Sequence, residues 1–238
     1  MLKLVVEFKH IITKVKSQVK DFCMGKCYII TAYIEGNLKE LLPATSSDFI
    51  ICADGGYELA LAHGIVPHAV IGDADSGKMS ALVNKNTSVL ISPEFVHFEQ
   101  EKDVSDTFLC VEHAITLGFA DIAIIGGIGG RLDHTISNIQ TIAKFSSADV
   151  KITMRDEANF ITIVSNSSIT IKKEENFSLS LFSFSDFCSG ITTTGLYYPL
   201  ENATLQNAYP LGLSNEFVNE VATIEVTQGK LLVIMSRR

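Results

Sequence analysis

The sequence predicts an α/β fold in which a parallel-sheet domain is followed by an all-β, sandwich-like domain. Two observations support this prediction. From residue 26 to about residue 147, short apolar runs rich in β-branched residues alternate with helical patterns, which indicates a parallel sheet covered on both faces. After residue 149, strand-length segments alternate or run apolar between turn-forming residues, which is typical of an antiparallel sandwich or barrel.

We therefore expect three regions: an amphipathic extension over residues 1–25, an α/β domain over 26–147 and a β-sandwich domain over 150–238. The α/β strands are predicted at 27–31, 49–53, 69–71, 89–91 and 122–125, and the helices at 37–42, 57–63, 106–117 and 134–145. Later strands are predicted at 160–164, 178–184, 221–226 and 231–235, with turns at 165–167, 174–176 and 228–229.

The N-terminal region has apolar residues at helical spacing with lysines between them, which predicts an amphipathic helix over residues 1–23. It lacks the continuous apolar segment and small-residue cleavage site of a secretory signal. Three interpretations are open. The helix packs on its own domain or on a partner, it lies on a membrane surface, or Met24 is the natural start of the protein.

Charge and cysteine content narrow the class of protein. The net charge is −8, and since residues 1–26 carry +4, the rest of the chain carries −12, which argues against a general nucleic-acid binder. No apolar run reaches the roughly 20 residues that span a bilayer. The five cysteines are odd in number and form no CxxC pair, which indicates buried free thiols in a reducing, cytoplasmic environment.

Polar residues follow several predicted strands of the α/β domain, where open parallel sheets bind their ligands. Asp54, Gly55 and Gly56 follow the strand at 49–53. Asp73 and Asp75 lie in the loop after 69–71. The remaining residues of this kind precede or follow the later elements: Lys102, Asp103, Asp106, Gly129, Gly130, Arg131 and Asp133. Each aspartate also has a local explanation, since Asp103 or Asp133 would serve as a helix N-cap, with Asp106 at N3, and the others as turn formers.

The gathering of carboxylates at one sheet edge predicts a metal. Unit charges about 4 Å apart repel by roughly 4 kcal/mol at an effective dielectric of 20, so the cluster needs a cation. Mg²⁺ prefers hard oxygen ligands and often bridges carboxylates to phosphate oxygens. Asp73 and Asp75, two residues apart in an extended loop, are placed to reach one ion.

Two glycine-rich segments come close to known phosphate motifs without matching them. Counted from Gly127, the segment 127–132 fails the GxGxxG fingerprint because Leu132 stands at the last glycine position, although the backbone N–H groups of residues 126–130 suit a phosphate. The segment 72–78 has Walker A spacing, but Met79 replaces the magnesium-binding Ser or Thr and two aspartates would repel phosphates. We interpret the second loop as a metal site, with Arg131 and Lys102 supplying positive charge for a polyphosphate.

Taken in order, these residues resemble the thiamine pyrophosphokinase family. The matching segments are 54–56, 67–76, 102–106, 129–135, 195–200 and 212–216, so the resemblance covers residues 26–238 and leaves out the first helix. It implies an α/β nucleotide-binding domain followed by a β-sandwich, a homodimer, ATP with Mg²⁺ on the first domain and thiamine at the subunit interface.

The same resemblance assigns roles to residues. Asp73, Asp75 and Asp106 would be metal ligands, and Asp133 would join them as a catalytic residue. The phosphate end would include Asp54, Gly55, Gly56, Lys102, Asp103, Gly129, Gly130 and Arg131. Ser214, Asn215 and Tyr197 would contact thiamine. Some family members stack thiamine on tryptophan; this chain has none, so Tyr197, Tyr198 and Phe217 are the candidates.

The resemblance implies transfer of a diphosphate from ATP to the thiamine hydroxyl, giving thiamine diphosphate and AMP. Two rival functions keep much of the same site. One is a pyrophosphokinase for another small alcohol such as a hydroxymethyl pterin, and the other is a non-catalytic thiamine or nucleotide sensor. A dinucleotide oxidoreductase is a more distant alternative, because the fingerprint fails.

Overall fold

A computed structural model describes residues 25–73, 93–98 and 104–238. The predicted N-terminal helix and the predicted strand at 89–91 lie outside the described residues. The chain divides into two compact units, the first ending at Gly127 and the second beginning at Ile128. The boundary that we predict at 147–150 falls after the first helix of the second unit, and the domain limits stay a prediction.

The first unit consists of five strands and three helices in its described part. The strands are β1 (Cys27–Ile30), β2 (Phe49–Ala53), β3 (Ala69–Asp73), β4 (Glu94–Phe98) and β5 (Asp121–Ile125). The helices are α1 (Leu38–Leu41), α2 (Gly56–Ala62) and α3 (Asp106–Leu117). These agree with the predicted elements within a few residues, except that β4 was not predicted.

The five strands form one parallel arrangement in the order β5-β1-β2-β3-β4. In the described part of the chain β4 pairs with β3 alone, so it is an edge strand. Its sequence mixes polar and apolar residues, as the half-exposed position of an edge strand allows. For that reason it lacks the continuous apolar run by which the inner strands were recognised.

Both faces of this sheet are buried. On one face Tyr28, Ile30 and Cys52 pack against side chains of α1 and α2, including Leu38 and Tyr57. The alternate strand residues point to the opposite face. They are also buried, and α3 lies against β1, β2 and β3. Apolar residues at consecutive positions therefore stabilise the strands from both sides. For this reason the strands do not show an alternation of polar and apolar residues.

The second unit begins with one helix, α4 (Leu132–Phe145), which contacts β6 and β7. Its strands are β6 (Lys151–Arg155), β7 (Asn159–Lys172), β8 (Phe177–Ser183), β9 (Phe187–Thr194), β10 (Ala203–Gln206), β11 (Gly212–Asn215) and β12 (Val221–Arg237). The pairings β6–β7, β7–β12, β12–β8, β12–β9, β9–β10 and β8–β11 are all antiparallel. A second core of Leu, Ile, Val and Phe side chains lies within this unit.

Two predicted turns of the second unit are wrong. The segment 165–167 lies inside β7 and the segment 228–229 lies inside β12. The β7–β12 register shifts between Val226 and Lys230, opposite Asn166, which has φ 48°. Turn-forming residues here make a β-bulge, which bends a strand without ending it. The bend lets β12 pair with β9 before the bulge and with β8 after it.

Four of the cysteines, Cys27, Cys52, Cys110 and Cys188, are free and buried, and Cys23 lies outside the described residues. Burial raises the pKa of the Cys27 and Cys52 thiols above their ordinary range, so both stay protonated and unreactive. Among the described residues, no helix is both long and apolar enough to cross a membrane.

Candidate active site

The carboxyl ends of β1, β2, β3 and β5 lie side by side because the strands are parallel neighbours. Asp54 follows β2, Asp73 is the last residue of β3, and Gly126 follows β5. Helix α3 ends at Leu117, just before β5 begins, so it runs back along the sheet and its first residue, Asp106, lies at the same edge. The structure therefore brings the backbones of Asp54, Asp73 and Asp106 to one edge of the first unit.

Asp54 occupies a tight turn that is held against β3. Its φ is 39°, in the left-handed region, and its N–H donates to the carbonyl oxygen of Ile71 at 2.8 Å. Its own carbonyl accepts from the Tyr57 N–H at 3.0 Å, which starts α2. A Cβ added at Gly72 would come 3.2 Å from both the Cα and an Oδ of Asp54. The Asp54 carboxylate is thus fixed beside the residue that precedes Asp73.

Gly55 and Gly56 have a packing role. A Cβ at Gly56 would lie 2.2 Å from the carbonyl oxygen of Ile30, and one at Gly55 would lie 3.1 Å from the Cβ of Ala32. The absence of side chains lets the start of α2 approach the end of β1 closely. Their predicted contact with a nucleotide stays a prediction.

Asp106 is half-buried at the first position of α3. The N-cap is Ser105, whose hydroxyl accepts from the Phe108 N–H at 3.3 Å. The alternative in which Asp103 caps this helix and Asp106 is at N3 is therefore wrong, because Ser105 already supplies the capping oxygen. Asp106 directly follows the cap, so it lies in the first turn of α3, at the end of the helix where the macrodipole is positive.

The glycine-rich loop after β5 has unusual backbone geometry. Gly126, Gly127, Gly129 and Gly130 all have positive φ, between 61° and 84°. In the first unit, the Gly127 N–H donates to the carbonyl oxygen of Tyr33 at 2.8 Å, and a Cβ at Gly126 would lie 2.3 Å from that oxygen. In the second unit, the Gly129 N–H donates to the Thr135 hydroxyl at 3.0 Å. An arriving phosphate would have to compete with Thr135 for this N–H.

Arg131 and Asp133 form an exposed ion pair at the start of α4. The Nε–H donates to one carboxylate oxygen at 3.2 Å and an Nη–H to the other at 2.6 Å. This hydrogen bonding, with the charge attraction, raises the pKa of Arg131 and lowers that of Asp133. Asp133 is not the N-cap: Arg131 holds that position without a side-chain cap bond. The guanidinium already shows the bidentate geometry with which arginine binds phosphate.

The predicted thiamine contacts lie in the second unit. Ser214 is exposed, with φ 58°, and its N–H donates to the Ser180 hydroxyl at 3.0 Å. Tyr197 is exposed, whereas the side chain of Asn215 is buried and bonded to backbone groups. Phe217, one of the three aromatic candidates, is buried in the core.

Several predicted site residues cannot be placed. Asp75, Lys102 and Asp103 lie outside the described residues, as does the side chain of Asp73. Within the described residues, no three His, Cys, Asp or Glu side chains gather closely enough to hold a metal ion. Two of the three predicted ligand side chains fall outside that part of the chain, so the metal assignment stays a prediction.

In α/β enzymes that bind phosphate compounds, the ligand lies at the carboxyl ends of the parallel strands, where this chain carries Asp54 and Asp73. The chain matches the family model for the catalytic domain of thiamin pyrophosphokinase over residues 42–154 and the model for its vitamin B1 binding domain over residues 166–231. It is 30% identical over 209 residues to thiamine pyrophosphokinase from Bacillus subtilis, covering 85% of this chain and 96% of that protein. The chain belongs to the thiamine pyrophosphokinase family.

Solved structures agree with this assignment. The crystal structure of thiamine pyrophosphokinase from Bacillus subtilis has a TM-score of 0.75 at 28% identity, with 89% of this chain and 99% of that chain covered. Thiamin pyrophosphokinase from Candida albicans has a TM-score of 0.70 with 91% of each chain covered. At 14% identity this second likeness shows the fold alone.

Proposed function

We propose that the protein transfers a diphosphate from ATP to the hydroxyl of thiamine, giving thiamine diphosphate and AMP. The observation that carries the proposal is the edge of the first unit that carries the backbones of Asp54, Asp73 and Asp106, inside the segment that matches the family's catalytic domain. The match to the vitamin B1 binding domain over residues 166–231 supports thiamine as the acceptor.

We propose that the carboxylates of this edge bind a magnesium ion. The turn at Asp54 lies against Gly72, so a carboxylate is held beside the end of β3. Asp73, Asp75 and Asp106 would hold the ion, since carboxylate oxygens are ligands that Mg²⁺ prefers. When bound, the ion would neutralise negative charge on the polyphosphate. A divalent metal would also relieve the repulsion among the carboxylates.

We propose that the Arg131 side chain binds the transferring phosphates. Its guanidinium is 72% exposed and held by the 64% exposed Asp133 carboxylate, so water screens the pair and exchange for a phosphate costs little. The predicted contacts Lys102, Asp103, Gly129 and Gly130 belong to the same proposal, the two glycines through their backbone N–H groups. Transfer of this kind needs positioning and charge neutralisation more than covalent chemistry.

Asp106 and Asp133 are the two candidates for accepting the proton of the thiamine hydroxyl. A general base works best when its pKa lies near the working pH. The hydrogen bonds from Arg131 lower the pKa of Asp133, so that carboxylate is a weaker base while the pair is intact. Asp133 would then act in catalysis by holding the guanidinium in place.

Thiamine would bind to the second unit near Ser214, Asn215 and Tyr197. We further propose a homodimer in which this site lies at the subunit interface, and a cytoplasmic location for the enzyme. The family resemblance implies the dimer, and the free, buried cysteines support a reducing compartment.

The test is an assay of products. The purified protein is incubated with thiamine and ATP in magnesium buffer, and AMP and thiamine diphosphate are quantified. Equal amounts of the two support the proposal. ADP with a thiamine monophosphate would show an ordinary kinase, and turnover with a hydroxymethyl pterin but not with thiamine would show a different acceptor. Binding of thiamine without any product would show a sensor.

A further inference from the structure

The side chain of Asn215 is bonded to the main chain around a pair of tyrosines. Its Oδ1 accepts from the Tyr198 N–H at 3.0 Å and from the Glu216 N–H at 2.9 Å. Its Nδ2–H donates to the Tyr198 carbonyl oxygen at 2.7 Å. The residue is only 9% exposed. Both backbone groups of Tyr198 are therefore bound by one buried amide.

The side-chain amide of Asn215 extends a short antiparallel pairing between two backbone segments. Leu196 and Phe217 form a β-bridge, and the Tyr197 N–H donates to the Glu216 carbonyl oxygen at 2.8 Å. At Tyr198 the side-chain amide of Asn215 takes the place of a backbone peptide group, because it also offers one carbonyl and one N–H. The pairing of the loop thus extends one residue further than the backbones alone allow.

Asn215 itself is anchored on the core of the second unit. It pairs with Leu179 of β8, which is fully buried. The preceding residue, Ser214, turns the chain with φ 58° and donates its N–H to the Ser180 hydroxyl. The amide therefore connects the rigid strand β8 to the exposed loop that carries Tyr197 and Tyr198.

The two tyrosine rings are exposed and ordered with respect to each other. Tyr197 is 62% exposed and Tyr198 is 66% exposed, and their rings pack edge to face with centroids 4.8 Å apart and an interplanar angle of 84°. Phe217 is 9% exposed and packs in the core, which removes it as a surface for a ligand. Exposed aromatic faces attract cations within about 6 Å of the ring centroid.

We propose that Asn215 is a positioning residue that fixes the Tyr197–Tyr198 pair as the surface for the cationic thiazolium ring of thiamine, and that it does not bind thiamine itself. The inference rests on the proposed function. Its Oδ1 already accepts two hydrogen bonds, the capacity of a carbonyl oxygen, and reversing the amide would set Nδ2 against two N–H donors. The amide is thus committed to the protein backbone.

The test compares Asn215→Asp with the matched control Asn207→Asp, an exposed asparagine after β10. The first variant loses the bond to the Tyr198 carbonyl oxygen and sets a carboxylate oxygen against it, so Tyr198 moves away and the bond from its N–H weakens. We expect about a tenfold rise in the KM for thiamine, as for one lost buried hydrogen bond, with kcat and the KM for ATP close to wild type. The control should behave as wild type in all three constants.

Amide hydrogen exchange supplies a readout that does not depend on activity. The Tyr198 amide should exchange faster in Asn215→Asp than in wild type or in the control, while amides of β8 keep their protection. If the Tyr198 amide of Asn215→Asp exchanged at the wild-type rate, Asn215 would not hold Tyr198 in place and the proposal would be wrong. Faster exchange with an unchanged thiamine KM would overturn its positioning role.

Tyrosine variants separate the ring from the amide. Because the chain has six tyrosines and no tryptophan, thiamine binding is followed by quenching of tyrosine fluorescence. Tyr198→Phe should retain binding and Tyr198→Ala should weaken it about as much as Asn215→Asp does. If the alanine variant bound thiamine normally while Asn215→Asp did not, Asn215 would be a direct contact and the proposal would be wrong.

Failure of this inference is distinguishable from failure of the proposed function. A wild-type protein that makes no thiamine diphosphate would contradict the function. In that case the quenching and exchange measurements still decide whether Asn215 orders a thiamine-binding tyrosine pair. Absence of quenching by thiamine in the wild type would overturn the positioning proposal.

Discussion

The carbonyl oxygen of Ile30 lies where a side chain at Gly56 would begin: a Cβ added there would be 2.2 Å away. This contact joins the last residue of β1 to the first residue of α2, and the turn between β2 and α2 carries Asp54. The position of one site carboxylate therefore depends on how closely a helix approaches a strand.

The first prediction concerns that contact. Gly56→Ala should lower the free energy of unfolding by about 2 kcal/mol or more, because overpacking against backbone exceeds the roughly 1 kcal/mol that alanine contributes in a helix. Urea denaturation measures the change. Gly64→Ala is the control: it has φ 73° and no atom within 4 Å of its Cβ, so it should show only the 1–2 kcal/mol or so of a left-handed alanine. A Gly56→Ala protein as stable as wild type would contradict the contact.

The second prediction concerns the Arg131–Asp133 pair. Arg131→Lys keeps the charge but loses the planar, two-pronged donor geometry, so we expect about a tenfold or greater rise in the KM for ATP. The KM for thiamine should change much less. Steady-state kinetics with each substrate varied in turn measures both constants.

Arg237→Lys is the matched control for that experiment. Arg237 also donates two hydrogen bonds, to the Glu157 side chain and carbonyl oxygen, each at 2.8 Å, and its side chain is 46% exposed. If both lysine variants raised the KM for ATP equally, the effect would come from a general loss of arginine pairing and not from a phosphate site.

The third prediction concerns the end of β3. Asp73→Asn should reduce kcat by about 100-fold or more, since it removes a proposed metal ligand, yet leave the free energy of unfolding near wild type because carboxylate repulsion falls. Turnover is measured across a magnesium titration, and stability by urea. Asp149→Asn, on the exposed surface after α4, is the control. Wild-type turnover of Asp73→Asn at saturating magnesium would refute the metal assignment.

The sequence predicted the inner strands of the first unit well but missed its edge strand. Strands β1, β2, β3 and β5 are apolar at successive positions, because both faces of the sheet are buried, and such runs are easily recognised. Strand β4 mixes polar and apolar residues and was missed. In the second unit, Asn166 and Gly229 were interpreted as turns, since local sequence does not distinguish a turn from a bulge that long-range pairing sustains.

The candidate site shows the same division between local and long-range information. The order of strands and polar loops was enough to place Asp54, Asp73 and Asp106 at one edge. Ser105 was missed as the helix cap although a serine directly before a helical pattern is a recognised signal. The hydrogen bonding of Asn215 depends on Tyr198, which comes from another part of the chain, so no local sequence pattern predicts it.

The last prediction concerns His113, which is buried in α3 at 1% exposure. Burial lowers its pKa to about 4, because the charged imidazolium loses its hydration. In the unfolded chain the pKa of histidine is about 6.5, so between these two values the unfolded state binds the proton and the native state does not. The contribution of His113 to stability should therefore be constant above about pH 6.5 and fall by up to about 3 kcal/mol as the pH decreases toward 4.

His113→Leu should remove this part of the pH dependence, since leucine does not titrate and fits a buried position of similar size. Urea unfolding at several values between pH 7.5 and 4 gives the free energy of unfolding of the wild type and of the variant at each pH. On acidification the variant should lose less stability than the wild type. Val111→Ala, which empties a fully buried position on the same helix, controls for a simple loss of packing. Its profile should run parallel to the wild type. A parallel profile for His113→Leu would instead mean that the folded protein accepts a proton on His113 as readily as the unfolded chain does.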